Sequence, residues 1–160
     1  MNEKILKLLE KNARMSAEDI AACTDMTASE VEREIGEMER IGIIRGYKCI
    51  IDYDKLADDT VSAVIELNVT PKAGLGFEDV AHNISHYPQV ESVSLMSGSC
   101  DLRVVIRAET LREISAFVAN ELATMEGVTS TATQFIMRRY KDLGVELFGN
   151  EDDGRGKIFL

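Results

Sequence analysis

The stretch Asn12–Gly46, NARMSAEDIAACTDMTASEVEREIGEMERIGIIRG, contains two consecutive helix starts and a closing glycine. Apolar residues recur at helical intervals after each start, and Gly42 follows the second run as a helix-ending residue. Two short helices joined by the turn at 24–26 predict a helix-turn-helix, although an ordinary helical hairpin has the same pattern. Two hydroxyl residues each precede an acid at the spacing of a capping box: Ser16 with Asp19, and Thr27 with Glu30.

Three short motifs within and just after this stretch indicate which protein family the sequence resembles. The run NAR-x-S spans Asn12 to Ser16, the pair Ile20-Ala21 follows it, and GIIRGY spans Gly42 to Tyr47. The sequence resembles the Lrp/AsnC family of bacterial and archaeal transcription regulators in these segments, and the resemblance extends over essentially the whole chain. It implies a DNA-binding helix-turn-helix followed by an effector-sensing domain.

The second half of the chain is patterned as alternating strands and helices. Residues 61–70 alternate with their apolar members on one face, and residues 77–87 and 111–125 are amphipathic at helical spacing. The order strand, helix, strand, strand, helix, strand predicts a ferredoxin-like sheet with helices on one side. We expect the other side to be apolar and to be covered by a second copy of the chain.

The predicted fold class is therefore α+β. An N-terminal three-helix helix-turn-helix domain is joined by a linker strand to a ferredoxin-like βαββαβ domain. The tail carries an acidic run at Glu151–Asp153 and is expected to form an added strand or a mobile arm. The predicted divisions are 1–46 for the DNA-binding-like domain, 47–60 for the linker strand, 61–141 for the effector-binding and dimerisation domain, and 142–160 for the tail.

Charge limits the strength of any DNA contact. The formal net charge is −10, and residues 1–46 hold seven Lys or Arg against ten Asp or Glu, a net −3. Members of the resembling family usually carry basic residues near Glu34, Gly36 and Glu37, where this chain is acidic or has glycine. Because carboxylates repel phosphates, this departure predicts weaker DNA binding than a basic helix would give.

Candidate DNA-binding residues follow from the helix-turn-helix interpretation. Arginines are expected to contact phosphates, and residues in the first turns of the second helix are expected to face base edges. The phosphate candidates are Arg14, Arg33, Arg40 and Arg45, and the base-edge candidates are Ala28, Ser29, Glu30 and Arg33.

A candidate effector site is implied by the resemblance. The turn Gly98-Ser99-Cys100-Asp101 and two threonines of the last strand match family positions near an amino-acid pocket between subunits. Asp101 could pair with an α-ammonium group, and hydroxyls suit a carboxylate. Turn geometry and packing alone would also explain these residues. The effector-binding candidates are Gly98, Ser99, Asp101, Thr131 and Thr133.

Other chemistry receives little support. The sequence has no nucleophile elbow, Walker loop or dinucleotide fingerprint, so no catalytic residue, metal or cofactor is expected. His82 and His86 are four residues apart on a predicted helix but lack a third metal ligand. Cys23 lies on an apolar helix face and is expected to be buried. Without an apolar run long enough for a membrane span, cytoplasmic residence is the simplest expectation.

Three functions fit the pattern. The first is a transcriptional regulator that binds double-stranded DNA and an amino acid or other small-molecule effector, as a dimer, tetramer or octamer of one chain. The second is an enzyme resembling the sirohaem decarboxylases, which share this architecture. The third is a metabolite sensor that no longer binds DNA.

Overall fold

The computed structural model describes residues 2–56, 59–71 and 76–147. Contacts divide the chain into two compact units, Met1–Ile51 and Asp52–Leu160, which we call the head and the sheet domain. The predicted domain boundary after residue 46 therefore falls within the head unit. Among the described residues, no helix is long and apolar enough to cross a membrane.

The head contains three helices: α1 at Glu3–Lys11, α2 at Ala17–Thr24 and α3 at Ala28–Arg40. Both predicted caps form, because the Ser16 hydroxyl accepts the Asp19 N–H and the Thr27 hydroxyl accepts the Glu30 N–H. The helices share one small apolar core, so three short elements stabilise one another. Its fully buried members are Ile5, Ile20, Val31 and Met38.

Helix α3 ends at a glycine whose backbone only a residue without a side chain adopts easily. Gly42 has φ +76°, and a Cβ at this position would lie 3.0 Å from Cζ of Arg45. The chain therefore turns sharply here, with the Arg45 guanidinium packed over the turn.

The expected linker strand does not form within this chain. Residues 45–52 have no strand partner among the described residues, and Tyr53–Leu56 is a 3₁₀ turn. An alternating, β-rich sequence becomes a strand only when another strand accepts its backbone hydrogen bonds. The predicted linker strand is therefore absent from the single chain, where residues 45–52 carry no strand.

The sheet domain has the predicted βαββαβ order. Strands β1 (Val61–Val69), β2 (Val90–Leu95), β3 (Leu102–Ala108) and β4 (Val128–Phe135) form an antiparallel sheet in the order β2-β3-β1-β4. Helix α4 is Phe77–Ser85, and α5 is Leu111–Phe117, continued by a π-helical turn at Val118–Leu122. Strand β1 is central and pairs with both β3 and β4.

One face of this sheet carries the core. Alternate residues of β1 and β3 point to this face and pack against both helices. Burial of these side chains provides the main stabilisation of the domain. Its fully buried members are Ala63, Ile65, Leu67, Leu102, Val104 and Ile106 from the strands, with Val80, Ile84, Ile114 and Leu122 from the helical segments.

The opposite face is mixed rather than apolar, which corrects the sequence expectation. Val64 and Val105 lie opposite each other at its centre. Glu66 lies 3.4 Å from Arg103 on the neighbouring strand. Alternation explains the difference, since the apolar set of β1 faces the helices and leaves the polar set on the second face.

The start of the predicted tail forms a hairpin. Strand β5 (Lys141–Asp142) pairs with β6 (Val145–Glu146) across a two-residue turn. This agrees with the added-strand alternative for that part of the tail. The acidic run at 151–153 lies outside the described residues.

Candidate DNA-binding and effector sites

The first turn of α3 is organised by a reciprocal capping box. The Thr27 N–H and hydroxyl both donate to Oε2 of Glu30, each at 2.8 Å. These hydrogen bonds lower the pKa of the Glu30 carboxyl below its ordinary value of 4.5, the backbone bond having the largest effect and nearby Arg33 a smaller one. In this structure the Glu30 carboxylate turns back onto the start of α3, while its contact with a base edge stays a prediction.

The last turn of α3 contains a closed ion pair. Nε and Nη2 of Arg40 donate to the two carboxylate oxygens of Glu37 at 2.8 and 2.5 Å. The pair lowers the pKa of the Glu37 carboxyl, chiefly through the hydrogen bonds from Arg40. A bidentate pair fixes the guanidinium and neutralises it. A phosphate contact through Nε or Nη2 of Arg40 would therefore compete with Glu37.

The other DNA-binding candidates lie on the surface of the head. Arg14, Ser29, Arg33 and Arg45 are exposed, and Ala28 is half-buried at the start of α3. The Arg14 backbone N–H donates to Oδ1 of Asn12 at 3.1 Å, in the turn between α1 and α2.

The predicted effector turn connects β2 to β3. The Met96 N–H donates to the Asp101 carbonyl at 2.8 Å, closing a turn in which Gly98 has φ +155°. Gly98 and Ser99 are exposed at its tip. Oδ2 of Asp101 accepts the N–H of Val69 at 2.8 Å, so this carboxylate ties the turn to the end of β1.

The two candidate threonines lie on the other side of β1. Thr131 is opposite Leu67 and Thr133 is opposite Ile65, so both side chains point toward the helix-covered face. Strand β1 lies between these threonines and Asp101. Two strand intervals across a sheet correspond to a separation of about 10 Å between the backbones of the outer strands. The structure of one chain thus brings Gly98, Ser99 and Asp101 together but does not bring the threonines to them.

Sequence reasoning missed a cavity of about 520 Å³ in the sheet domain. Ile106 and Phe117 form an apolar part of its wall, and Gln89, Glu109 and Glu113 supply polar groups. The Glu113 carboxylate also accepts the Glu109 N–H at 3.1 Å. The lining residues come from β3, from α5 and from the loops beside them, and no pattern in the sequence indicates that these elements enclose a cavity.

Two further side-chain predictions can be compared with the structure. The His82 and His86 rings lie 4.4 Å apart between centroids, and the described residues contain no cluster of three metal-ligating side chains. Cys23 is exposed, contrary to expectation. Thr24 takes the inward position instead, and its hydroxyl donates to the Ile20 carbonyl at 2.8 Å.

A helix-turn-helix head and a separate ferredoxin-like domain define a two-domain class of ligand-binding regulator. Sequence profiles agree for each unit. Residues 2–45 match the winged helix-turn-helix DNA-binding domain, and residues 62–145 match the Lrp/AsnC ligand binding domain. The chain belongs to the Lrp/AsnC family of transcriptional regulators.

Individual relatives support this assignment. YugG of Bacillus subtilis strain 168, an uncharacterized HTH-type transcriptional regulator, is 39% identical over 153 residues, covering 95% of this chain and 92% of the relative. The assignment identifies a regulator, not an enzyme of the decarboxylase-like kind.

Solved structures share the fold. A transcriptional regulator of Neisseria meningitidis in complex with L-Met has 22% identity and a TM-score of 0.68, covering 87% of this chain and 89% of that chain. The feast or famine regulatory protein of M. tuberculosis complexed with L-methionine has 18% identity and a TM-score of 0.69, covering 88% and 92% respectively.

Proposed function

We propose that this chain is an amino-acid-responsive regulator that binds double-stranded DNA as a homodimer or a larger assembly of dimers. The observation that carries the proposal is the presence, in one Lrp/AsnC chain, of a helix-turn-helix head and a ligand-binding-type domain. A regulator of this kind acts where the DNA is, so we place it in the cytoplasm.

The effector is proposed to be an amino acid because two proteins of the same fold were solved with L-methionine. The turn with exposed Gly98 and Ser99 and half-buried Asp101 would hold the polar groups of the ligand. Since β1 separates this turn from Thr131 and Thr133 within one chain, we propose that a second copy completes the pocket. Titration calorimetry with L-methionine and the other nineteen amino acids tests the proposal, and no binding by any of them would contradict it.

Asp101 can be tested without removing its contact to the end of β1. We expect Asp101→Asn to keep an acceptor for the Val69 N–H but to lose the charge that pairs with an ammonium group. Amino-acid affinity should fall about tenfold or more, because charged hydrogen bonds contribute roughly 1.5–3 kcal/mol. Calorimetry measures the affinity, and thermal melting checks the fold.

Asp79→Asn is a matched control for this substitution. Oδ2 of Asp79 accepts the Gly76 N–H at 2.7 Å, so this carboxylate makes the same kind of backbone contact at the start of α4. If both variants bind the amino acid with the affinity of the parent, Asp101 stabilises the turn and does not bind the ligand.

Dimerisation is proposed to use the sheet face opposite the helices. Val64 and Val105 provide an apolar centre, and Glu66 and Arg103 provide charges of both signs beside it. An apolar centre bordered by polar groups is typical of protein interfaces. A face carrying both charges can also be complementary to itself across a two-fold axis.

The non-DNA-binding sensor remains a second candidate because of one observation. Among the described residues, α3 carries five acids, and one of its two arginines is paired with Glu37. Binding of an amino acid without binding of the chain's own upstream DNA at low salt would favour that function over regulation through DNA.

A further inference from the structure

A cavity of about 320 Å³ lies in the head. Lys11, Arg14 and Lys48 line it together with Asn12, Tyr47 and Cys49, and no carboxylate is among its lining residues. Three cations around one concavity produce a positive potential that attracts an anion.

Two parts of the head build this cleft. Helix α1 ends at Lys11, where the Asn12 N–H donates to the Leu8 carbonyl at 2.9 Å and Oδ1 of Asn12 accepts the Arg14 N–H at 3.1 Å. This tight turn places Lys11 and Arg14 on the same rim.

The segment after α3 forms the other rim. The Tyr47 hydroxyl donates to Oε1 of Glu39 at 2.9 Å, which ties residues 47–49 to α3. Burial, with a smaller contribution from Glu39, raises the pKa of the Tyr47 phenol. The Tyr47 hydroxyl is thus engaged by Glu39, and Lys48 follows it in the chain on the same rim.

We propose that this cleft binds a phosphodiester group of the DNA backbone and supplies the phosphate anchor that α3 lacks. The inference rests on the proposed function, since it assumes that the head binds DNA. Each phosphate neutralised by Lys or Arg releases counterions and strengthens binding. Backbone contacts of this kind fix the position of the head on the duplex without reading its sequence.

The test compares single lysine substitutions in the full chain. Lys11→Ala and Lys48→Ala remove cleft charges, while Lys4→Ala removes an exposed charge of α1 that does not line the cleft. Binding of a labelled mixed-sequence duplex is followed by fluorescence anisotropy over a range of salt concentrations. Thermal melting shows whether each variant is folded.

We expect the cleft variants to weaken binding about fivefold to tenfold at roughly 0.1 M salt and to reduce the salt slope by about one, because each loses one phosphate contact. The Lys4→Ala variant should stay within about twofold of the parent, since Lys4 is about two helical turns from Lys11 and exposed charges at that distance are screened. Equal weakening by all three variants would overturn the cleft proposal while leaving DNA binding intact. Absence of DNA binding by the parent would overturn both the cleft and the proposed function.

A chemical measurement locates the phosphate independently. Cys49 lines the cleft and is exposed, while Cys100 is buried. Bound DNA should slow alkylation of Cys49 by iodoacetamide, measured by mass spectrometry, and should do so less in Lys48→Ala. Unchanged Cys49 reactivity in the fully DNA-bound parent would place the phosphate elsewhere and contradict the proposal.

Discussion

The arginines of α3 differ in their availability to DNA. Arg40 is held by both oxygens of Glu37, whereas Arg33 is exposed one turn after the capping box. The Glu37 carboxylate occupies two nitrogens of Arg40 and offsets its charge, so the pair reduces the gain from a phosphate contact. One effect of the acidic residues of α3 is therefore that Glu37 partly neutralises Arg40 of the same helix.

Substitution of Glu37 should release Arg40. We expect Glu37→Gln to raise DNA affinity about fivefold at roughly 0.1 M salt, because it removes one repelling charge and adds one available cation. Anisotropy with the same duplex measures the change. Glu32→Gln is the control, since it removes an exposed acid of the same helix; an equal gain in both variants would show that release of Arg40 contributes nothing.

The sequence predicted the helix N-caps correctly, but it did not predict correctly which residue of α2 is buried. The hydroxyl-to-acid spacing correctly placed the starts of α2 and α3, since a cap depends on residues only three positions apart. The inward position of Thr24 in place of Cys23 could not be derived the same way. On a short helix, the packing of neighbouring elements decides which of two adjacent positions faces inward.

At the scale of elements, helix α3 has one glycine in its interior, which weakens the helix. A second glycine follows its last turn and ends it. Gly36 is in the helix, and a Cβ built on it meets no atom within 4 Å. Gly42 terminates the helix at φ +76° under the Arg45 side chain. The same substitution should therefore have opposite effects at the two positions.

We expect Gly36→Ala to raise the free energy of unfolding by about 1 kcal/mol, because alanine stabilises a helix interior relative to glycine. Gly42→Ala should lower it by about 1–2 kcal/mol, since the left-handed conformation strains any residue with a Cβ. Denaturant titration of both variants measures the two changes. A stabilising effect at Gly42 would contradict the account of the helix end.

A helix or strand could be predicted from the sequence where its own pattern of apolar residues is sufficient to define it. The alternation in β1 and the helical spacing after it indicated the βαββαβ order that the sheet shows. The predictions of a linker strand and of an apolar second sheet face were wrong for the same reason. Each feature depends on which other part of the molecule the segment pairs with or faces. The candidate effector site has the same limitation, because β1 separates Asp101 from Thr131 within one chain.

At the scale of the whole molecule, the account requires a second copy. The apolar pair Val64 and Val105 lies among polar residues on the sheet face opposite the helices. A charge introduced at this centre would lose its hydration in a dimer but not in a monomer. The effect on association should therefore exceed the effect on folding.

We expect Val64→Asp to weaken dimerisation by roughly thirtyfold or more, corresponding to about 2 kcal/mol of desolvation. Sedimentation equilibrium measures the association. Leu111→Asp is the matched control, because it places the same charge at an exposed apolar position of α5. A monomeric parent, or a dimer unaffected by Val64→Asp, would contradict this use of the sheet face.

The central claim is that an amino acid bound in the sheet domain changes the affinity of the head for DNA. Fluorescence anisotropy on the chain's own upstream duplex, with and without a saturating amino acid identified by calorimetry, measures this coupling directly. We expect the Kd for DNA to change about fivefold or more and, by linkage, the amino-acid affinity to change equally when DNA is present. Saturation with the amino acid and no change in DNA affinity would contradict it.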